Sequence, residues 1–169
     1  MYKTVGLIRF FSSQRKLDAE IVQTKHLSGR DLLSKKRLAL MTELAELANE
    51  MPETFKFWSN KPNNYEKALV ELVDCFHFIL SIGLEFGKIN GKRVEEIRYR
   101  AVNAHQHLKI EDVFAGFIAS AARLEPSNYV VYVNDFLALV DTLGFTWDEF
   151  KNAYHAKNEV NHARQATGY

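Results

Sequence analysis

Four acidic side chains stand at spacings that could do chemistry. Glu43 and Glu46 lie three residues apart, and about 25 residues later Glu71 and Asp74 repeat the interval. Residues three apart share a helix face, so the pattern predicts two helices that each offer a pair of carboxylates. The second pair sits in an apolar stretch, Ala68 to Phe86, with Leu69, Val70, Leu72, Val73, Phe76, Phe78, Ile79 and Leu80 around it. An acid there has little water-facing perimeter. An isolated carboxylate that loses its hydration is costly unless a cation compensates it, and a hard divalent ion such as Mg²⁺ takes oxygen ligands of this kind. E-x-x-E by itself would describe an ordinary solvated helix. It is the apolar setting of Glu71 and Asp74 that turns the reading towards a metal and phosphoryl chemistry. His77 extends the second stripe, and Glu50 continues the first. The lone Asp74-x-x-His77 lacks the paired Glu-x-x-His motifs that a di-iron bundle would need.

Positive charge and amides gather near the other end of the chain. Lys157, Asn161 and Arg164 fall at i, i+4 and i+7, with Asn158 and Gln165 beside them. Lysine and arginine neutralise phosphates, and asparagine can read sugar hydroxyls or base edges. A frayed, solvated C-terminal helix would have a similar composition. Lys56 and Trp58 come from a loop between Pro52 and Pro62; the tryptophan could stack on a base or be anchored in the core.

The elements that must position these groups are helical. Apolar residues recur every three or four positions from Phe10 to His26 and from Asp31 to Met51, and Pro52 and Pro62 should stop helices. A long helix runs from about Asn64 to Phe86, with Gly83, Gly87 and Asn90-Gly91 marking its end. Arg93 to Leu108 has a polar helical pattern and Ile110 to Leu124 an apolar one. Tyr129 to Leu143 follows; its Val130 to Val133 favours a strand by residue type but has no evident partner. Thr146 with Glu149 forms a capping-box signature for the last helix. The expected architecture is an all-α bundle of about six or seven helices in one domain spanning 1–169, with 88–128 a candidate mobile excursion.

Composition narrows the function classes. Apolar residues make up 47% and charged residues 25% of the 169, which suits a globular domain. A net charge of +1 argues against nucleic-acid binding driven by overall charge. The single cysteine, Cys75, excludes an internal disulfide, suits a reducing cytosol and reads as a small buried hydrophobe. Two central acids make Ala68 to Phe86 a poor membrane span, and no signal peptide is evident. The expectation is a soluble cytoplasmic enzyme without membrane or nucleic-acid partners.

Several segments together resemble the dimeric dUTPase family, within the all-α nucleoside triphosphate pyrophosphatases that include the MazG-like proteins. They are QRKLD at 14–18, KKRLALMTELAELANE at 35–50, FKFW at 55–58, VELVDCFHF at 70–78 and AYHAKNEVNHARQATGY at 153–169. The paired acids are common to the superfamily, whereas the FKFW loop and the C-terminal segment look like the dimeric dUTPases in particular. Only about 88–128 carries no recognisable motif. The resemblance implies a homodimer that hydrolyses dUTP, and dUDP, to dUMP with two or more Mg²⁺ ions. It implies Glu43, Glu46, Glu71 and Asp74 as metal ligands, with Glu46 also orienting the attacking water. Gln14 and Trp58 match positions that contact uracil, and Asn161 is a candidate for the nucleoside. Lys157, Arg164 and Tyr169 match a tail that closes on the phosphates. Asp18, Lys56, His77 and Asn158 are further candidates for substrate contact, and Gln165 stands beside them. Two rivals remain: a relative with another nucleotide preference, for dCTP or for house-cleaning, and a non-catalytic metal-binding helical interaction protein.

Overall fold

The computed structural model describes residues 3–101, 105 and 107–167. Its centre is α3 (Tyr65–Phe86), against which α1 (Ile8–Thr24), α2 (Leu33–Glu50), α5 (Tyr129–Thr142) and α6 (Trp147–Ala166) all pack. Helix α4 (Ile110–Ala121) lies against α2, which brings the described helices to six.

The central position of α3 follows from its composition. Leu72, Val73, Cys75, Phe76, Ile79, Leu80 and Ile82 have no exposed surface, so nearly the whole circumference below the first two turns is covered. Asn64 caps its start by accepting from the Lys67 amide at 3.1 Å. Phe76 is the hub of an aromatic core with Phe10, Phe136, Phe150 and Tyr154, at centroid separations of 5.1–5.9 Å. Gly83, expected to help end α3, instead lies inside it. A Cβ there would come within 2.2 Å of the Tyr129 hydroxyl, which donates to the Ile79 carbonyl at 2.9 Å. The glycine therefore lets α5 approach α3 closely. The helix ends at Gly87, whose φ of +66° is left-handed.

Past α3 the described residues from Arg93 to Leu108 do not form the expected helix. Asn90 and Gly91, both with positive φ, close a two-residue hairpin between β2 (Lys88–Ile89) and β3 (Lys92–Arg93). A short 3₁₀ turn at Val94–Glu96 leads to β4 (Arg98–Ala101), which pairs antiparallel with β1 (Lys3–Gly6). Alternation explains the difference: Tyr99 is fully buried between exposed Arg98 and Arg100, a period of two. Val94 and Tyr99 join the main core, as do Val113, Phe114 and Phe117 of α4. Val130 to Val133 is helical within α5, tertiary packing overriding strand preference. Thr146 and Glu149 form the full capping box on α6. No helix among the described residues is long and apolar enough to cross a membrane.

Candidate active site

Helices α2 and α3 pack side by side, and this turns the first acidic pair towards the second. Carboxylate oxygens of Glu43, Glu46 and Glu71 all lie within 4.8 Å of one another. Like charges at that range, partly withdrawn from water, resist ionisation. Burial, followed by the charges of Asp74, Glu46 and Glu71, pushes Glu43 up from 4.5 to about 7. Glu71 is raised as well, first by burial and then by Asp74 and Glu46. Asp74 is the exception within the set. Lys157 of α6 reaches it at 2.5 Å, and both side chains are mostly buried. Burial raises Asp74, while the Lys157 hydrogen bond and charge act against that rise. Lys157, with Arg164 acting on Asp74 at longer range, thus offsets one acid, and the three glutamates face each other.

A cavity of about 450 Å³ opens beside this cluster between α1, α2, α3 and α6. Glu43 and Asp74 reach it from the acidic side, and Lys157, Asn161, Arg164 and Gln165 line it from α6. Leu17, Ile21, Val22, Leu27, Leu32 and Phe78 make its apolar walls. Charged and amide groups together with apolar walls suit a ligand that is part anion and part flat ring.

The inner wall carries a hydrogen-bonded chain. Gln14, only 3% exposed, donates from Nε2 to Asp18 Oδ1 at 2.7 Å, and its Oε1 accepts from His77 Nδ1 at 2.7 Å. Asp18 Oδ2 accepts from the Ser81 hydroxyl at 2.7 Å and faces Lys36 at 3.6 Å. His77 stacks on Tyr154 with ring centroids 4.4 Å apart. Burial holds His77 down to about 3, so the ring is neutral. Its Nε2 is buried and without a partner among the described residues, as are Asn158 Nδ2 and Gln165 Oε1.

The sequence-derived candidates therefore separate into groups. Gln14, Asp18, Glu43, Asp74, His77, Lys157, Asn161 and Arg164 come together around one cavity, with Glu46 and Glu71 completing the acidic cluster beside it. Asn158 does not line the cavity. Lys56 bonds Asn49 at 2.6 Å, and Trp58 is 65% exposed in contact with Phe55 and Phe57, so it is not anchored in the core. Tyr169 lies outside the described residues. Cys75 is fully buried with its thiol pushed up by that burial, as expected of an inert side chain. Lys35, Lys36 and Ser81 also line the cavity and were not singled out. Ser81 lies one turn after His77, and Lys36 two turns before Glu43 on the same face, so helical spacing could have found both.

The three-glutamate cluster fits a hard divalent cation in the chemistry of its donors: several carboxylate oxygens, close together and short of compensating charge. No curated protein matches the chain. The model of the family described as dUTPase matches residues 7–169, nearly the whole length. With an all-α bundle that gathers acids and cations around one cavity, the chain belongs to the dUTPase family, and its activity is the hydrolysis of dUTP.

Proposed function

We propose that this enzyme hydrolyses dUTP, and also dUDP, to dUMP with Mg²⁺, opening the bond between the α and β phosphates. The observation that carries the proposal is the cluster of Glu43, Glu46 and Glu71, two half-buried carboxylates and one exposed, with oxygens within 4.8 Å of one another beside a cavity flanked by Lys157 and Arg164. Glu43, Glu46, Glu71 and Asp74 would hold the ions, two or more in number. When bound, Mg²⁺ supplies neutralising charge for phosphate oxygens and makes water a better nucleophile.

The remaining work falls to the chain. Phosphoryl transfer passes through a loose transition state whose charge spreads over the phosphate oxygens, so positioned cations lower the barrier without a covalent intermediate. Lys157 and Arg164 supply that charge from α6. Glu46, the most exposed of the three glutamates, orients the attacking water. Lys157 is paired with Asp74 at 2.5 Å; were it to turn to phosphate, Asp74 would be available to hold the ions. The base lies among Leu17, Ile21 and Phe78, with Gln14 reading its polar edge and Asn161 the sugar. The enzyme acts as a homodimer in the cytoplasm. Exposed Phe57 (94%), Trp58 (65%), Leu38 and Val131 support the dimer, since large apolar groups in the open mark surfaces that another chain covers.

Release of pyrophosphate or phosphate from dUTP, dUDP, dTTP, dCTP and UTP, with and without Mg²⁺, tests this. Selective Mg²⁺-dependent turnover of dUTP and dUDP is expected. Equal turnover of dCTP would discard the uracil reading, and turnover of dUTP in the presence of a chelator would discard the metal.

A further inference from the structure

The chain of hydrogen bonds on the inner wall has a direction. A carboxylate only accepts, so the Gln14 atom 2.7 Å from Asp18 is the N–H side of the amide, and the atom 2.7 Å from His77 Nδ1 is the carbonyl oxygen. His77 must then carry its proton on Nδ1, leaving the buried Nε2 as a lone pair. Asp18 cannot swing away, because Ser81 and Lys36 engage its other oxygen. We propose that Asp18 and His77 lock the Gln14 amide in one orientation, and that this lock makes the cavity choose a uracil edge over a cytosine edge.

The argument rests on the proposed uracil substrate and deepens it. Gln14 lines the cavity with one N–H and one carbonyl lone pair still uncommitted among the described residues. A free glutamine amide would meet uracil with its N–H on O4 and its oxygen on N3–H. It would serve cytosine equally well after a half-turn, because cytosine offers a donor at N4 and an acceptor at N3. An unlocked amide therefore does not discriminate. In this wall the half-turn would set the Gln14 oxygen against the Asp18 carboxylate and its NH₂ against the His77 N–H. Each clash leaves buried polar groups unpaired. Shifting the His77 proton to Nε2, which has no partner among the described residues, would relieve only the second clash, and the Gln14 oxygen would still face the Asp18 carboxylate. Asp18 and His77 are positioning residues: they set which face Gln14 presents.

Asp18→Asn makes the lock reversible. Lys36 and Ser81 keep the Asn oxygen, so its NH₂ faces Gln14, the amide turns over, and His77 moves its proton to Nε2. The expected result is a fall of about 10- to 100-fold in the ratio of kcat/KM for dUTP over dCTP, with the dUTP loss mainly in KM. A purely structural role would lower both substrates together, and an unchanged ratio would overturn the proposal. The tautomer of His77, read from its ¹⁵N ring shifts in the wild-type enzyme, is a second test that needs neither turnover nor a mutant. An Nδ1–H ring supports the lock, and an Nε2–H ring overturns it. Wild-type turnover of neither nucleotide would instead overturn the uracil reading, with the tautomer still deciding the lock.

Discussion

The two polar regions flanking the cavity treat buried charge in opposite ways. On the inner wall every group but one ring nitrogen has a partner: Gln14 between Asp18 and His77, and Asp18 held by Ser81 and Lys36. At the acidic end Glu43, Glu46 and Glu71 confront one another, and among the described residues Asp74 alone of the four has an ion pair. A satisfied network is rigid and keeps one geometry. A cluster of like charges is under electrostatic strain and gains most when a cation arrives. The first arrangement suits recognition of a fixed hydrogen-bond pattern, the second the capture of metal and phosphate.

If that division is right, breaking each side should have a different signature. Glu46→Gln should have the largest effect on turnover, a loss of about 10²- to 10³-fold in kcat, of the size seen when one charge-stabilising group is removed. Because Glu46 is exposed, thermal unfolding of the metal-free protein should shift little, within about 0.5 kcal/mol. Lys157→Met comes next and tests the one pairing at the acidic end. Stranding mostly buried Asp74 should cost about 1–3 kcal/mol in the metal-free protein, read by denaturant titration, and added Mg²⁺ should recover part of it. A loss that Mg²⁺ leaves untouched would separate Asp74 from the metal site.

The smallest effect sharpens the comparison through pH. Glu43 is raised from 4.5 to about 7, so its favourable contribution to folding is present below 4.5 and is lost as pH rises through 7. His77 is lowered from 6.5 to about 3, so its contribution is present above 6.5 and is lost as pH falls through 3. The two slopes oppose each other between 4.5 and 6.5. Metal-free wild type should therefore show a shallow dependence of melting temperature there, falling as pH passes 7. In Glu43→Gln the fall should weaken, leaving the smaller share of Glu71 and Asp74, and the rise from His77 should show more clearly. A melting profile unchanged by Glu43→Gln would mean that Glu43 carries no strain.

Much of this contrast was legible in the chain before the fold. Acids at i and i+3 inside an apolar helix declare themselves through local spacing, and the same periodicity marks α1, α2 and α3. What local spacing cannot carry is pairing between distant segments. Strands β1 and β4 join residues about 95 positions apart, and RYRA alternates over only four residues, too short a run to outweigh a helical pattern. The Gln14–His77 bond spans 63 positions in the same way, so the residues were nameable while their shared network was not. Trp58 shows a different limit. Its type suits both a core anchor and a stacking platform, and only the fold shows it exposed, away from the cavity.

The most direct test of the central claim, that the unpaired glutamates form the metal site for dUTP hydrolysis, is the rate of dUTP turnover against Mg²⁺ concentration for wild type and Glu71→Gln. Wild type should rise from no activity to saturation, and Glu71→Gln should need far more Mg²⁺ and reach a far lower rate. Identical Mg²⁺ curves for the two proteins would contradict the account.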